Sequence, residues 1–186
     1  GVGYAPHGFP DLKALGADIY LFSLYKTFGP HLGLMYVNKG LILKMENQSH
    51  FFKEGVTRNM LTPAGPDHAQ IAAVSGLLDY FDVVYKHHFD KQVEPAERNR
   101  ALTKLFQDHE TILLDRLLEF LTSREDIRTL GTLTSKDRAP IVSFVPITKN
   151  ITKVYADLTK HKLMLGIGNF YAVRPLMEMN IPTQPG

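Results

Sequence analysis

The stretch Ala17-Asp18-Ile19-Tyr20-Leu21-Phe22-Ser23-Leu24-Tyr25-Lys26-Thr27-Phe28-Gly29-Pro30-His31-Leu32-Gly33-Leu34-Met35-Tyr36-Val37 decides how the chain is read. Ala17 to Phe22 is an apolar and aromatic run of strand length, ended by Ser23, and Leu32 to Val37 is a second one nine residues later. Both runs are nearly continuous in apolar character, as strands covered on both faces by helices are, so the expectation is the edge of a mixed or parallel sheet. The nine residues from Ser23 to His31 then form a loop at a strand tip. In open α/β sheets ligands sit at such tips, where loops meet above a rigid floor.

Working outward, the pattern becomes helical from Pro66, with Ile71, Val74, Leu77, Leu78, Phe81 and Val84 three or four apart. Pro66 suits the first turn of that helix, where its missing N–H is not needed. Val93 to Leu121 carries Leu102, Leu105, Phe106, Ile112, Leu113, Leu117 and Leu121 on one stripe, with charged residues on the other face, and predicts a second long helix. Pro140 to Val145 reads as a strand, Thr152 to His161 as an amphipathic helix, and Leu163 to Gly168 as a short strand or turn. The fold class expected is α/β, with residues 1–92 in one sheet-bearing domain and residues 93–186 in a smaller α+β domain.

Composition narrows the function. The 186 residues are 44% hydrophobic and 22% charged, which excludes disorder and predicts a packed core. Twenty-one basic against 19 acidic residues leave +2, too little excess for a phosphate-backbone partner, so no nucleic-acid binding is expected. No apolar run reaches the about 20 residues that span a bilayer, and Gly1 to Phe9 lack the charged and apolar regions of a signal peptide. No membrane association and a cytoplasmic location are therefore expected. The chain has no cysteine, so thiolate ligands and cysteine nucleophiles are absent from it. Because it opens at Gly1 without methionine and closes at Pro185-Gly186, it is expected to be part of a longer protein.

Lys26 carries the chemistry. An ammonium at the tip of a strand amid Phe22, Tyr25 and Phe28 is expected to be partly desolvated, which favours the neutral amine that attacks a carbonyl carbon. The same local pattern fits a lysine that merely runs along apolar surface to reach water. Gly29-Pro30-His31-Leu32-Gly33 tips the reading toward a ligand site, since the glycines let the backbone approach a flat molecule and Pro30 sets the turn. Ser23, three residues before Lys26, offers a hydroxyl to a phosphate. An amine and a phosphate-binding hydroxyl together suggest a phosphorylated aldehyde as cofactor.

The run D-I-Y-L-F-S-L-Y-K-T-F-G-P-H-L-G-L-M-Y-V resembles the Schiff-base segment of the class V aminotransferase family, in its cysteine desulfurase-like branch. P-H-G-F-P-D-L-K-A-L-G-A-D upstream, and the A-P-I-V-S-F strand and G-N-F-Y-A turn downstream, follow in the family's order. The resemblance implies part of the large domain of a fold type I enzyme plus a smaller C-terminal domain. It implies pyridoxal 5'-phosphate held by Lys26 as a Schiff base, Ser23 at the phosphate, Tyr25 and His31 beside the cofactor, an amino-acid substrate and a homodimer. The ring-nitrogen carboxylate and the arginine for the substrate carboxylate would lie outside this chain.

The departures shape the expected reaction. Tyr25 stands where many desulfurases carry histidine, and Pro63-Ala64-Gly65-Pro66-Asp67-His68 replaces a threonine-bearing turn. Within Gly168-Asn169-Phe170-Tyr171-Ala172, Tyr171 takes the place of the desulfurase cysteine. A phenol of pKa about 10 forms no persulfide, so transamination, racemisation or elimination at the α carbon replaces sulfur transfer. The alternative is a non-catalytic relative that keeps the fold as a scaffold. Ser23-Leu24-Tyr25-Lys26 also satisfies the S-x-x-K of serine hydrolases, but the partner motifs K-T-G and S-D-N are missing. His87-His88, His109-Glu110, Gly166-Ile167-Gly168 and Arg58 match no complete metal or nucleotide signature.

Overall fold

A computed structural model describes residues 1–62, 65, 67–136 and 138–183. The chain is a mixture of helices and small sheets and divides into two compact units, residues 1–109 and 110–186. The first unit opens with a short 3-10 turn, Ala5–His7, and α1, Leu12–Leu15. Asp11 starts α1, its carboxylate accepting the N–H groups of Lys13 and Ala14 at 3.0 Å, and Gly16 ends it in the left-handed region at φ 66°. Strand β1, Ile19–Ser23, follows, then a 3-10 turn, Leu24–Thr27, and β2, Gly33–Val37. After α2, Lys39–Ile42, come two further 3-10 turns, α3 (His68–Ala73), α4 (Ser75–His88) and the beginning of α5, Pro95–Thr122.

β1 and β2 pair antiparallel, Tyr20 opposite Tyr36 and Phe22 opposite Leu34, which removes the parallel alternative from the expected mixed or parallel edge. The reason is geometric: nine residues, 24 to 32, separate the strands, whereas a parallel crossover needs a dozen or more. Side chains alternate across this hairpin. Tyr20, Phe22, Tyr36 and Leu34 share one face, and Phe22 lies 5.4 Å from Phe9, whose ring meets Phe81 of α4 at 5.8 Å. Ile19, Leu21 and Met35 share the other and are about half exposed. The apolar runs are thus strands, but within the described residues only one of their faces is substantially covered.

The helix expected from Pro66 starts at His68, with Asp67 as its cap, and breaks at Val74 before α4; Pro66 itself lies outside the described residues. Along α4, Leu77 and Tyr85 are buried, and Lys86, His87 and His88 occupy the C-terminal turn, where the helix dipole favours positive charge. Leu102 of α5 is buried within the first unit.

In the second unit, α5 buries Leu114, Leu118 and Leu121, while Ile112, Leu113 and Leu117 are exposed. The expected stripe holds at Leu102 and Leu121, whereas at Leu113 and Leu117 the next residues, about 100° around the helix, are buried in their place. Leu113-Leu114 and Leu117-Leu118 are adjacent pairs, so the pattern offers two equivalent stripes, and tertiary contact chooses one. β3, Ile127–Leu130, pairs antiparallel with β4, Ser143–Pro146, placing Thr129 opposite Phe144. α6, Ile151–Lys160, is capped by Asn150, and α7, Val173–Glu178, follows. The stretch from Leu163 to Gly168 forms no strand. Asp126 anchors the start of β3: it accepts Arg124 Nε and Nη2, both at 2.8 Å, and Lys149 Nζ at 3.3 Å. The Arg124 hydrogen bonds, opposed by desolvation and aided by Lys149, hold its carboxyl down at about 2.

Candidate functional site

The turn after β1 is fixed by two buried residues and a small set of backbone bonds. Leu24 is 1% exposed and Thr27 0%, because a 3-10 helix repeats every three residues and stacks positions 24 and 27 on one side. Thr27 Oγ1 donates to the Leu24 carbonyl at 2.9 Å and lies 3.3 Å from that of Ser23. The Leu24 carbonyl also accepts Gly29 N–H at 2.9 Å, and Leu24 N–H donates to the Leu32 carbonyl at 2.8 Å. Phe28 reverses the chain in the left-handed region at φ 66°. Gly29 sits so close to Leu24 that a Cβ there would lie 3.1 Å from the leucine Cβ.

The same geometry turns positions 25 and 26 outward. Lys26 is exposed, which corrects the expectation of a desolvated ammonium. The aromatic neighbours that were to shield it face elsewhere: Phe22 meets Phe9, and Phe28 meets Tyr80 at 4.9 Å and Phe81 at 6.3 Å. Tyr25 remains beside it, half exposed, with Lys26 Nζ 5.9 Å from the ring centroid. The Tyr25 ring in turn lies 5.0 Å from that of His31, tilted by 52°. Among the described residues no carboxylate pairs with Lys26. Ser23, half-buried, begins the turn without using its hydroxyl as a cap. Lys26, Tyr25 and His31 are therefore brought together, with Ser23 at the base of their turn.

Sequence reasoning passed over two residues here. Thr27, the buried hydroxyl that ties the turn, could have been found from its spacing of three from Leu24. Among the described residues the buried Tyr20 hydroxyl has no hydrogen-bond partner, and burial, with Tyr4 nearby, pushes its phenol above the ordinary range. Its alternation with Phe22 marks it as inward-facing.

The remaining sequence candidates are placed as follows. In the second unit Phe170 and Tyr171 both take positive φ, 49° and 63°, and Tyr171 is fully exposed. Asn169 clamps that turn, accepting Tyr171 N–H at 3.0 Å and donating to the Thr183 carbonyl at 3.2 Å. His87 and His88 stand edge to face at 4.8 Å, and among the described residues no group of three suitable side chains could hold a metal ion. Arg58 is exposed. Pro63, Ala64 and Pro66 lie outside the described residues. Among the described residues no helix is long and apolar enough to cross a membrane.

The donor set at the lysine turn suits a phosphorylated aldehyde: a primary amine without an ion pair among the described residues, and a hydroxyl three residues before it not engaged in capping. On this floor Tyr25 and Lys26 are both exposed.

No family model matches the chain. It is similar to the aminotransferase-like protein FGM3 of Gibberella zeae, 36% identical over 148 residues, covering 77% of this chain and 33% of that protein. It is also 28% identical to the cysteine desulfurase-like protein ustD of Aspergillus flavus, over 98% of this chain and 39% of that protein. The nonribosomal peptide synthetase-like enzyme fsqF of Aspergillus fumigatus is 28% identical over 96% of this chain and 11% of its own length. The chain thus spans roughly a third of the length of the aminotransferase-like relative, 33%. These likenesses support kinship with an aminotransferase type of protein.

Proposed function

We propose that this chain is the lysine-bearing part of a pyridoxal-phosphate-dependent enzyme of the class V aminotransferase kind, acting at the α carbon of an amino acid. The observation that carries the reading is the fixed turn that presents an amine without an ion pair among the described residues, Lys26, three residues after the uncommitted Ser23 hydroxyl. The aminotransferase-like and desulfurase-like relatives support it. When bound, the cofactor supplies an electron sink for the substrate's α-carbon electrons.

The chain's own residues have the following roles. Lys26 would supply the amine that holds the cofactor covalently; once the substrate's own amine displaced it, the freed lysine amine would move a proton to or from the substrate's α carbon. Ser23 donates its hydroxyl to the phosphate. Tyr25 and His31 flank the lysine and limit where its amine reaches. Tyr171 has no thiol to offer, so the proposed chemistry moves protons or an amino group rather than sulfur. The exposure of Lys26 means that this chain alone forms no closed active site. A fold type I homodimer, completed by sequence corresponding to the rest of the relatives, would exclude water from it; a cytoplasmic location belongs to the same proposal.

The test is covalent capture in the whole protein. Pyridoxal phosphate should give an absorbance band near the visible edge, and borohydride followed by peptide mapping should place the label on Lys26. Lys26→Ala should abolish both. Labelling spread evenly over exposed lysines, with no band, would refute the reading. The exposure of Lys26 favours a second reading, a scaffold relative that binds cofactor without using it. Bound cofactor with no turnover across a panel of amino acids would support that version.

A further inference from the structure

We propose that Tyr25 is the positioning residue for the Lys26 amine, and that His31 braces the Tyr25 ring. The inference rests on the reading of Lys26 as the reactive amine and goes beyond it, because it says where that amine is kept when no aldehyde holds it.

Three observations carry it. First, Lys26 Nζ lies within cation–π range of Tyr25, 5.9 Å from the centroid, and no described carboxylate competes for it. Other lysines of the chain are paired differently: Lys104 with Asp108 at 2.7 Å, and Lys160 with Asp157 at 3.3 Å. A carboxylate holds an ammonium by charge and must be given up before the amine reacts. A ring face at an exposed site holds it by a factor of about 2 to 5 in population, comparable with an exposed ion pair, but adds no counter-charge that favours the protonated amine.

Second, the Tyr25 phenol makes no hydrogen bond among the described residues, so ring contacts are what place it. His31 provides the contact on the loop side, at 5.0 Å and a tilt of 52°. Third, the segment joining the two rings is short and internally bonded. Gly29 N–H reaches the Leu24 carbonyl, Leu32 N–H reaches the Pro30 carbonyl at 2.7 Å, and Leu24 N–H reaches the Leu32 carbonyl. Residues 25 and 31 are thereby held at opposite ends of one closed loop, and the ring pair is a consequence of its geometry.

The experiment is NMR of the whole protein, freed of cofactor and carrying isotope-labelled lysine, with the Lys26 signals assigned through Lys26→Arg. A seated amine places the Lys26 ε-CH2 protons over the Tyr25 ring, which shifts them upfield of those of exposed Lys13. Tyr25→Phe should keep the shift, Tyr25→Leu should abolish it, and His31→Ala should reduce it, with backbone signals outside residues 23–33 unchanged in all three. Addition of pyridoxal phosphate should remove the shift in the wild type, since the captured amine leaves its seat. An upfield shift that survives in Tyr25→Leu, or is absent from the wild type, overturns the proposal. A shift that follows the ring as expected but ignores pyridoxal phosphate upholds the seat and refutes the cofactor reading.

Discussion

Leu24→Ala tests whether the lysine turn owes its shape to one buried side chain. Leu24 is 1% exposed, so the substitution empties a volume of three carbons beneath the residues that carry the proposed chemistry. Buried Leu→Ala changes cost about 2 to 5 kcal/mol, the spread reflecting how far the site collapses. Collapse is restricted here because Gly29 already approaches Leu24 closely and the surrounding backbone is tied by the Leu24–Leu32 and Leu24–Gly29 hydrogen bonds. A loss of about 3 kcal/mol is therefore expected. With a urea dependence of about 1.5 kcal/mol per molar, the unfolding midpoint should fall by about 2 M.

Leu78→Ala is the matched control. It is the same chemical change at a side chain that is 65% exposed, and its effect should stay within about 0.5 kcal/mol. The backbone bonds of the turn do not involve the Leu24 side chain, so Leu24→Ala should leave the turn recognisable but loosened. A broadened Lys26 signal should report that loosening. Equal midpoints for the two variants, or a shift below about 0.5 M for Leu24→Ala, would show that the turn is held by something other than this packing.

Three further outcomes are expected. Thr27→Val keeps the shape of a fully buried side chain but removes the hydroxyl that donates to the Leu24 carbonyl; it should cost about 1 kcal/mol in urea unfolding, because that carbonyl retains Gly29 N–H. On α5, Leu118→Ala should cost several-fold more stability than Leu117→Ala, since Leu118 is 2% exposed and Leu117 45%; equal costs would return the buried stripe to the register expected from sequence. Asp126 is held down to about 2 in the folded chain, so its contribution is present above the ordinary carboxylate range and lost as pH falls through about 2. A carboxyl-carbon titration should find that midpoint, and Arg124→Ala should raise it more than Lys149→Ala, because Arg124 makes two of the three hydrogen bonds.

The sequence was legible where structure is local. The α5 helix runs Pro95–Thr122 where periodicity predicts Val93 to Leu121, and α6 runs Ile151–Lys160 where Thr152 to His161 is predicted. Both strands of the lysine hairpin occur where the apolar runs lie. β3 was not legible: Ile127-Arg128-Thr129-Leu130 is too short to show alternation, and it becomes a strand through pairing with β4. The direction of β1 against β2 was legible in principle from the nine-residue connection, which overrules the apolar continuity of the runs.

At the candidate site, the residue types near one another in sequence are the ones near one another in space, because a single turn holds Ser23, Tyr25, Lys26 and His31. Sequence alone therefore determined which amine and which hydroxyl share a loop, and that the loop closes at a strand end. Tertiary structure decided which of them water reaches. The three-residue repeat of the 3-10 turn sends Leu24 and Thr27 into the core and Tyr25 and Lys26 out of it, while Phe22 and Phe28 are drawn to Phe9, Tyr80 and Phe81. Hydrophobic pattern says that a side chain seeks cover. Which cover it finds depends on segments more than 40 residues away in the chain, as Phe9 and Phe81 illustrate.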